Sequence, residues 1–545
     1  MKRLAPIALG VVLLWLVGYP LLVTFSAALA GGGGPEAPLG RFARAPAEWL
    51  ALWRSFWISV ASVAGAALLG IPLGFLFERR DFPGKALLGA LVALPVALPP
   101  LVGVIAFLFL FGESGFLSRA VMALLGRTEP PWRLAGPGAI LLVHAYSMYV
   151  YFYLFTRAGL ARRDGALEEA AATLGASPRK VLWRITLPML SPAFAGAALL
   201  CFMTSLGSFS APYLFGGSWR VMTTQIVASK LNGDLGLAQV ETVALALVAM
   251  VSLLALRRLE PRRKLTGTVR GLAPRPRPLA SSWARWGACA SATVLTLVLL
   301  SPHLTLVLIS LVPFGTWTIE PFPPVLSTGN YTGLLSSAES WRPVASSLWM
   351  AAVATLVALV LGFLAAHRAA RGGKGGRFFE GLLALPWALP GTVFALALAS
   401  TFSVHAPWLG RIVLVGTPWI LPLAYVVRAL PLTGRSALAG LAQLDGSLDE
   451  AAATLGAGPW RRFARITLPL LRPSLVAGAG LAFMTALGDY VTSIVLYTFD
   501  NRPISMAIDG ILRRNDLGLA AVYGVFLMLA SSAAFLAWGR ERQAG

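Results

Sequence analysis

The sequence predicts an all-α integral membrane protein of about twelve transmembrane helices, arranged as two parallel homologous halves. Three observations predict it: an apolar composition, long uncharged runs, and a polar phrase written twice. Of 545 residues, 57% are hydrophobic and only 12% charged, and mean hydropathy is +0.73. A soluble chain carries about 25% charged residues, so the composition argues against a soluble enzyme. The runs approach the roughly 20 residues that cross a bilayer as helix. Lipid offers the backbone no partner, so each run must satisfy itself as a helix.

The spans run near 7–30, 56–77, 86–111, 137–157, 192–213 and 236–256, then near 286–312, 344–366, 378–402, 412–430, 473–496 and 517–538. Gly and Pro recur inside them, as in "LVALPVALPPLVG" from Leu91; neighbouring helices re-satisfy the freed backbone groups. With the N-terminus in the cytoplasm, about 32 of the 45 Lys and Arg fall on the cytoplasmic side, against about 13 outside. That bias places both termini in the cytoplasm, as expected of a multi-pass protein of the bacterial inner membrane. The run "RRLEPRRKLTGTVRGLAPRPRP" from Arg257 then serves orientation, with anionic lipid rather than nucleic acid as its partner. Residues 1–30 resemble a signal peptide ending in "SAALA". The second half opens on a comparable span, which favours retention. Cys201 and Cys289 are too few for a disulfide framework, and no metal cluster or cofactor motif is present.

The repeat organises the chain. "EEAAATLGASP" from Glu168 returns as "DEAAATLGAGP" from Asp449, "RITLPML" from Arg184 as "RITLPLL" from Arg465, and "CFMTSLGSFS" from Cys201 as "AFMTALGDYV" from Ala482, all 281 residues on. "LPVALPP" at Leu94 returns more loosely as "LPWALPG" at Leu385. The expected units are residues 1–256, a basic cytoplasmic linker at 257–285, and 286–545. The halves should pack about a pseudo-two-fold axis along the membrane normal.

The twinned phrase falls in cytoplasmic loops, 159–191 and 431–472. "LEEAAATLG" is Ala-rich and helical by propensity, and Gly175 stops it. Ser177 and Pro178 fit the N-cap and first position of a second short helix. Gly456, Gly458 and Pro459 take those parts in the twin. The result is a helix–turn–helix knob whose apolar stripe suits a groove; a helix lying on lipid headgroups is the plainer alternative.

The pattern Glu-Ala-Ala, three residues, Gly, nine residues, Ile, one residue, Leu-Pro resembles the EAA loop of permease subunits of binding-protein-dependent ABC importers. Both halves match it: Glu169, Ala170, Ala171, Gly175, Ile185, Leu187 and Pro188, then Glu450, Ala451, Ala452, Gly456, Ile466, Leu468 and Pro469. The resemblance covers essentially the whole chain and is strongest to fused double permeases of ferric-iron and thiamine importers. It implies a type I ABC importer permease fold. It implies as partners two copies of a cytoplasmic ATP-binding subunit, docked on the EAA loops, and an extracytoplasmic solute-binding protein. The residues agree in one respect: the chain has no Gly-x-x-x-x-Gly-Lys-Ser/Thr phosphate loop, so it is a transport subunit rather than an enzyme. A facilitator-type secondary transporter also has two six-span halves, but it needs no matched docking loops.

The solute is less legible. Candidate pathway residues are Pro95, Pro99, Pro386 and Pro390 in the Pro-rich stretches, Asp489 in the eleventh span, and its twin position Ser208. Asp489 fits a pathway lining and a structural bond equally. His144, Tyr146, Tyr149, Tyr151 and Tyr153 point in different directions around one helix, which argues against a metal site. Overall likeness points to ferric iron, with thiamine, polyamine and sulfate- or molybdate-type anions as alternatives.

Overall fold

The computed structural model describes residues 4–30, 34, 36–161, 165–259, 277–278, 281–317 and 320–544. Most of the expected linker therefore lies outside the described residues. The first half is built on α1 (Leu4–Ala30), α2 (Pro46–Arg79), α3 (Lys85–Ala93), α4 (Pro100–Phe111), α5 (Gly136–Ala161), α6 (Ala166–Thr173), α7 (Leu187–Leu206), α8 (Ser210–Phe215), α9 (Met222–Leu231) and α10 (Leu235–Leu259), with the further helices Pro38–Arg44 and Phe116–Leu125 and a few short turns between them. The second repeats the plan: α11 (Ser282–Ser310), α12 (Ala338–Ala369), α13 (Gly373–Ala388), α14 (Gly391–Thr401), α15 (Ile420–Leu441), α16 (Gly446–Thr454), α17 (Leu468–Leu487), α18 (Val491–Leu496), α19 (Ile504–Leu512) and α20 (Leu517–Ala544).

Among the described residues ten helices are long and apolar enough to span a membrane, or eleven if the pair α13 and α14, bent by 105°, counts as one. The sequence led to about twelve. In the ninth span a break at Leu389–Pro390 separates α13 from α14, while the third keeps a crossing helix, Pro100–Leu125. The third span breaks into α3 and α4 around a 3-10 turn at Leu94–Ala97, followed by Pro99 and Pro100. In a 3-10 turn the Val92 carbonyl would take the N–H of residue 95, which is Pro and has none. It accepts the Tyr149 hydroxyl at 2.6 Å instead, and Tyr153 donates to the Gly89 carbonyl at 2.9 Å. Tyr149 thus mends the break, and Tyr153 ties the intact turn before it to α5; no metal-holding group of His, Cys, Asp or Glu occurs among the described residues. The expected tenth span starts later than 412, as α15 at Ile420, and holds Arg428 and Arg435. A short parallel ladder pairs Arg80–Asp81 with Arg277–Pro278.

Packing within a half rests on small residues, which let helix backbones approach closely in lipid. Gly70 of α2 lies against the Tyr149 carbonyl of α5, and Gly362 of α12 against Thr433 of α15. Gly159 meets the Leu190 side chain, and 281 residues on Gly440 meets Leu471, so the written repeat returns as a repeated contact between α5 and α7 and between α15 and α17. The lead helices cross over: α1 packs on α14 of the other half, and α11 on α3 and α4. Trp15 Nε1 donates to the Gly410 carbonyl at 2.8 Å, and Tyr146 of α5 donates to the Leu299 carbonyl of α11 at 2.8 Å. The largest apolar cluster holds buried residues of both halves, and two smaller ones centre on the first.

Candidate functional site

Two matching loops project on one side of the helices. In the first, α6 ends on a Schellman turn: the Ala176 N–H bonds the Ala171 carbonyl at 2.9 Å and the Gly175 N–H bonds that of Ala172 at 3.0 Å. The twin repeats both bonds, from Ala457 to Ala452 and from Gly456 to Ala453, each at 3.0 Å. Gly175 and Gly456 sit at φ +78° and +79°, a left-handed conformation that costs any side-chain-bearing residue energy. Ser177 caps the next turn through the Lys180 N–H, with Pro178 at its first position; Gly458 and Pro459 replace them in the twin.

The expected second short helix is not separate. Pro178–Val181 passes through a π turn, Leu182–Thr186, straight into α7. Pro459–Arg462 does the same through Phe463–Thr467 into α17. Pro188 and Pro469 therefore lie inside continuous helices, Pro178–Leu206 and Pro459–Leu487, just after their π turns. A π turn interrupts the usual bonding register, and such turns recur at functional sites. The Glu169 and Glu450 side chains face water and have no bonded partner among the described residues, and Ala170 and Ala451 are exposed beside them; Ala171, Ala452, Ile185, Ile466 and Leu187 are half-buried, and Leu468 is exposed. Leu174 and Leu455, one residue before each Gly, are both 88% exposed. An apolar side chain held in the open at the same place twice marks a surface awaiting a partner.

The acid that ties each loop down is the one before the motif Glu. The Glu168 carboxylate accepts from Arg79 Nη2 at 2.6 Å and from the Thr186 hydroxyl at 2.5 Å, while the same Arg79 nitrogen also reaches Thr186 at 3.0 Å. This clamp joins the loop to the end of α2. Its twin, Asp449, pairs with Arg462 at 2.9 Å inside its own loop. The Asp445 carboxyl, capping α16, is held below its usual range by the Ser447 backbone N–H. The signal that was legible is an acid at the same place in both copies; its partner Arg79 lies too far along the chain for spacing to reveal.

The prolines converge on the seam between halves. Pro99 packs on Gly488, and Pro390 on Gly207, so the break in the third span of each half meets the glycine that ends the fifth span of the other. Pro95 and Pro386 are buried behind these contacts. Asp489 is 1% exposed at its side chain and pairs with Arg428. It also accepts the Thr492 and Ser493 N–H groups at 2.8 and 3.2 Å, capping α18. Its twin position, Ser208, bonds His144 Nε2 at 2.9 Å, and the same ring reaches Ser62 and Ser205. On the face away from the loops, Lys230 donates to the Val495 carbonyl and Arg513 to the Tyr213 hydroxyl, both across the seam. Phe209, Tyr213 and Tyr490 cluster there.

The sequence profile of the binding-protein-dependent transport system inner membrane component matches twice, over residues 70–265 and 358–538. A probable ABC transporter permease protein of Sinorhizobium fredii is 29% identical over 541 residues, 96% of this chain and 94% of that one. A putative ferric transport system permease protein of Haemophilus influenzae is 27% identical over 438 residues, 78% of this chain and 67% of that one. The molybdenum transport system permease protein of Escherichia coli is 35% identical over 217 residues, 38% of this chain and 91% of that one. With two helical repeats, a twinned loop and a profile that matches both, the chain belongs to the binding-protein-dependent transport system inner membrane components, the permeases of ABC importers.

Proposed function

We propose that this chain forms the whole membrane pathway of an importer, energised by two cytoplasmic ATP-binding subunits and supplied by an extracytoplasmic solute-binding protein. The observation that carries the reading is the twinned loop. Two equal helices, each closed by a left-handed Gly and tipped by a bare Leu, offer two equal sockets' worth of contact. Glu169, Ala170, Ala171, Gly175, Ile185, Leu187 and Pro188, with Glu450, Ala451, Ala452, Gly456, Ile466, Leu468 and Pro469, make up those contact regions. The seam contacts Pro99–Gly488 and Pro390–Gly207 then form the gate, with Pro95 and Pro386 setting the breaks. Asp489 and Ser208 hold its far edge through their bonds to neighbouring helices.

Ferric iron is the cargo we infer, supported by the likeness of most of this chain to ferric transport system permease proteins. The test is reconstitution in proteoliposomes with the cognate ATP-binding subunit and binding protein. Iron-loaded binding protein should raise ATP turnover and drive iron uptake. Stimulation by thiamine or molybdate in place of iron would overturn the cargo.

A further inference from the structure

Directly on the loop side of the Gly207–Pro390 contact, a pocket opens between the halves. Leu199, Leu200 and Met203 of α7 line it, facing Trp387 of α13. Arg257 at the end of α10 and Arg435 of α15 supply its only charges among the described residues, and no carboxylate among them lines it. Neither guanidinium has an ion-pair partner among the described residues. Arg435 lies 5.9 Å from the Trp387 ring centre, an attraction that leaves its charge unneutralised. The nearest pathway acid proposed above, Asp489, is already occupied by Arg428. By the 281-residue offset, Arg435 corresponds to Leu154, so the twin position is uncharged.

Two cations with no ion-pair partner among the described residues, set in an apolar-walled cleft, focus a positive potential and concentrate counter-ions. A bare trivalent cation is repelled from such a place, and an anion is drawn in. We propose that this pocket is the inner vestibule of the pathway and that it passes solute as an anion. On the ferric reading, on which this cargo statement rests, iron crosses as a complex with net negative charge, carrying its anionic ligands with it. Arg257 and Arg435 are then specificity-determining residues, and a simple oxyanion suits the vestibule equally.

Trp387 reports on the pocket directly. In nanodiscs of zwitterionic phosphatidylcholine, the fluorescence lost in Trp387→Phe isolates its signal. Iodide should quench that signal at least about threefold better than caesium, the scale expected of a charged cleft. Arg257→Gln with Arg435→Gln should remove the preference, and Lys at both positions should restore it. Equal quenching by the two ions, or a preference untouched by the Gln pair, overturns the proposal. Loss of iodide access when phosphatidylglycerol is added also overturns it, because a lipid headgroup is then the occupant. If iodide wins but iron-loaded binding protein leaves ATP turnover unchanged, the ferric reading falls and the anionic vestibule stands.

Discussion

Glu168→Ala should loosen the first loop far more than Asp449→Ala loosens the second. Glu168 is 12% exposed and Arg79 33%, and the carboxylate accepts a charged bond from Arg79 and another from the buried Thr186 hydroxyl among its contacts. A hydrogen bond to a charged group contributes about 1.5–3 kcal/mol. Partial exposure of Arg79 and its remaining bond to Thr186 pull the total to the low end, about 2–3 kcal/mol for the clamp. At about 1.4 kcal/mol per tenfold, the undocked fraction of the loop should rise roughly 30- to 100-fold. Asp449 is 53% exposed and its bond closes within the loop, so its loss is worth at most about 1 kcal/mol. Hydrogen exchange across residues 165–186 and 446–467, measured in nanodiscs, reads both loops in one experiment. Protection should collapse in the first loop of Glu168→Ala and hold in the second loop of Asp449→Ala. Equal loss in the two variants, or none in the first, would refute the clamp as the anchor.

Four further outcomes follow from the same geometry. Gly175→Ala and Gly456→Ala each force a side chain into the left-handed region at about 1–2 kcal/mol, and should weaken co-purification of the ATP-binding subunit, with Asn milder than Ala. Gly488→Ala sets a methyl 2.5 Å from the Pro99 Cβ, whereas Gly207→Ala meets the Pro390 Cα at an ordinary 3.5 Å; the first should slow transport and the second be tolerated. Asp489→Asn leaves the partly exposed Arg428 without its charge partner, at about 2–3 kcal/mol, and should lower thermal stability unless Arg428→Met is added. Asp234, held below the usual carboxylate range by the Arg41 hydrogen bond, stabilises the fold above its ordinary pKa; that contribution should persist from pH 7 to about 5 and fade below about 4, read as a pH-dependent difference between wild type and Asp234→Asn in thermal unfolding.

The spans were legible because hydropathy is written locally, and the loops because their turn needs Gly at a left-handed position. The doubling was legible because water-facing letters stand out in an apolar chain. What stayed hidden depends on pairs far apart. Nothing in α1 says that its apolar surface meets α14, since lipid and helix are equally apolar partners. The Glu168–Arg79 clamp and the Asp489–Arg428 pair join different helices, so no spacing rule reaches them. The π turns leave no compositional trace: Leu182–Thr186 and Phe463–Thr467 look like ordinary amphipathic helix. The tyrosines of α5 drew the eye as a cluster, yet Tyr149 completes the Val92 carbonyl that a 3-10 break frees and Tyr153 bonds the Gly89 carbonyl one turn earlier.

The central claim is that two equal loops each grip one ATP-binding subunit. Native mass spectrometry of the assembled complex tests it most directly, by counting those subunits on wild type, on Leu174→Asp or Leu455→Asp alone, and on both together. The account predicts two copies, one copy and none, with ATP-driven uptake lost along the same series. Two copies retained on the double variant would contradict it.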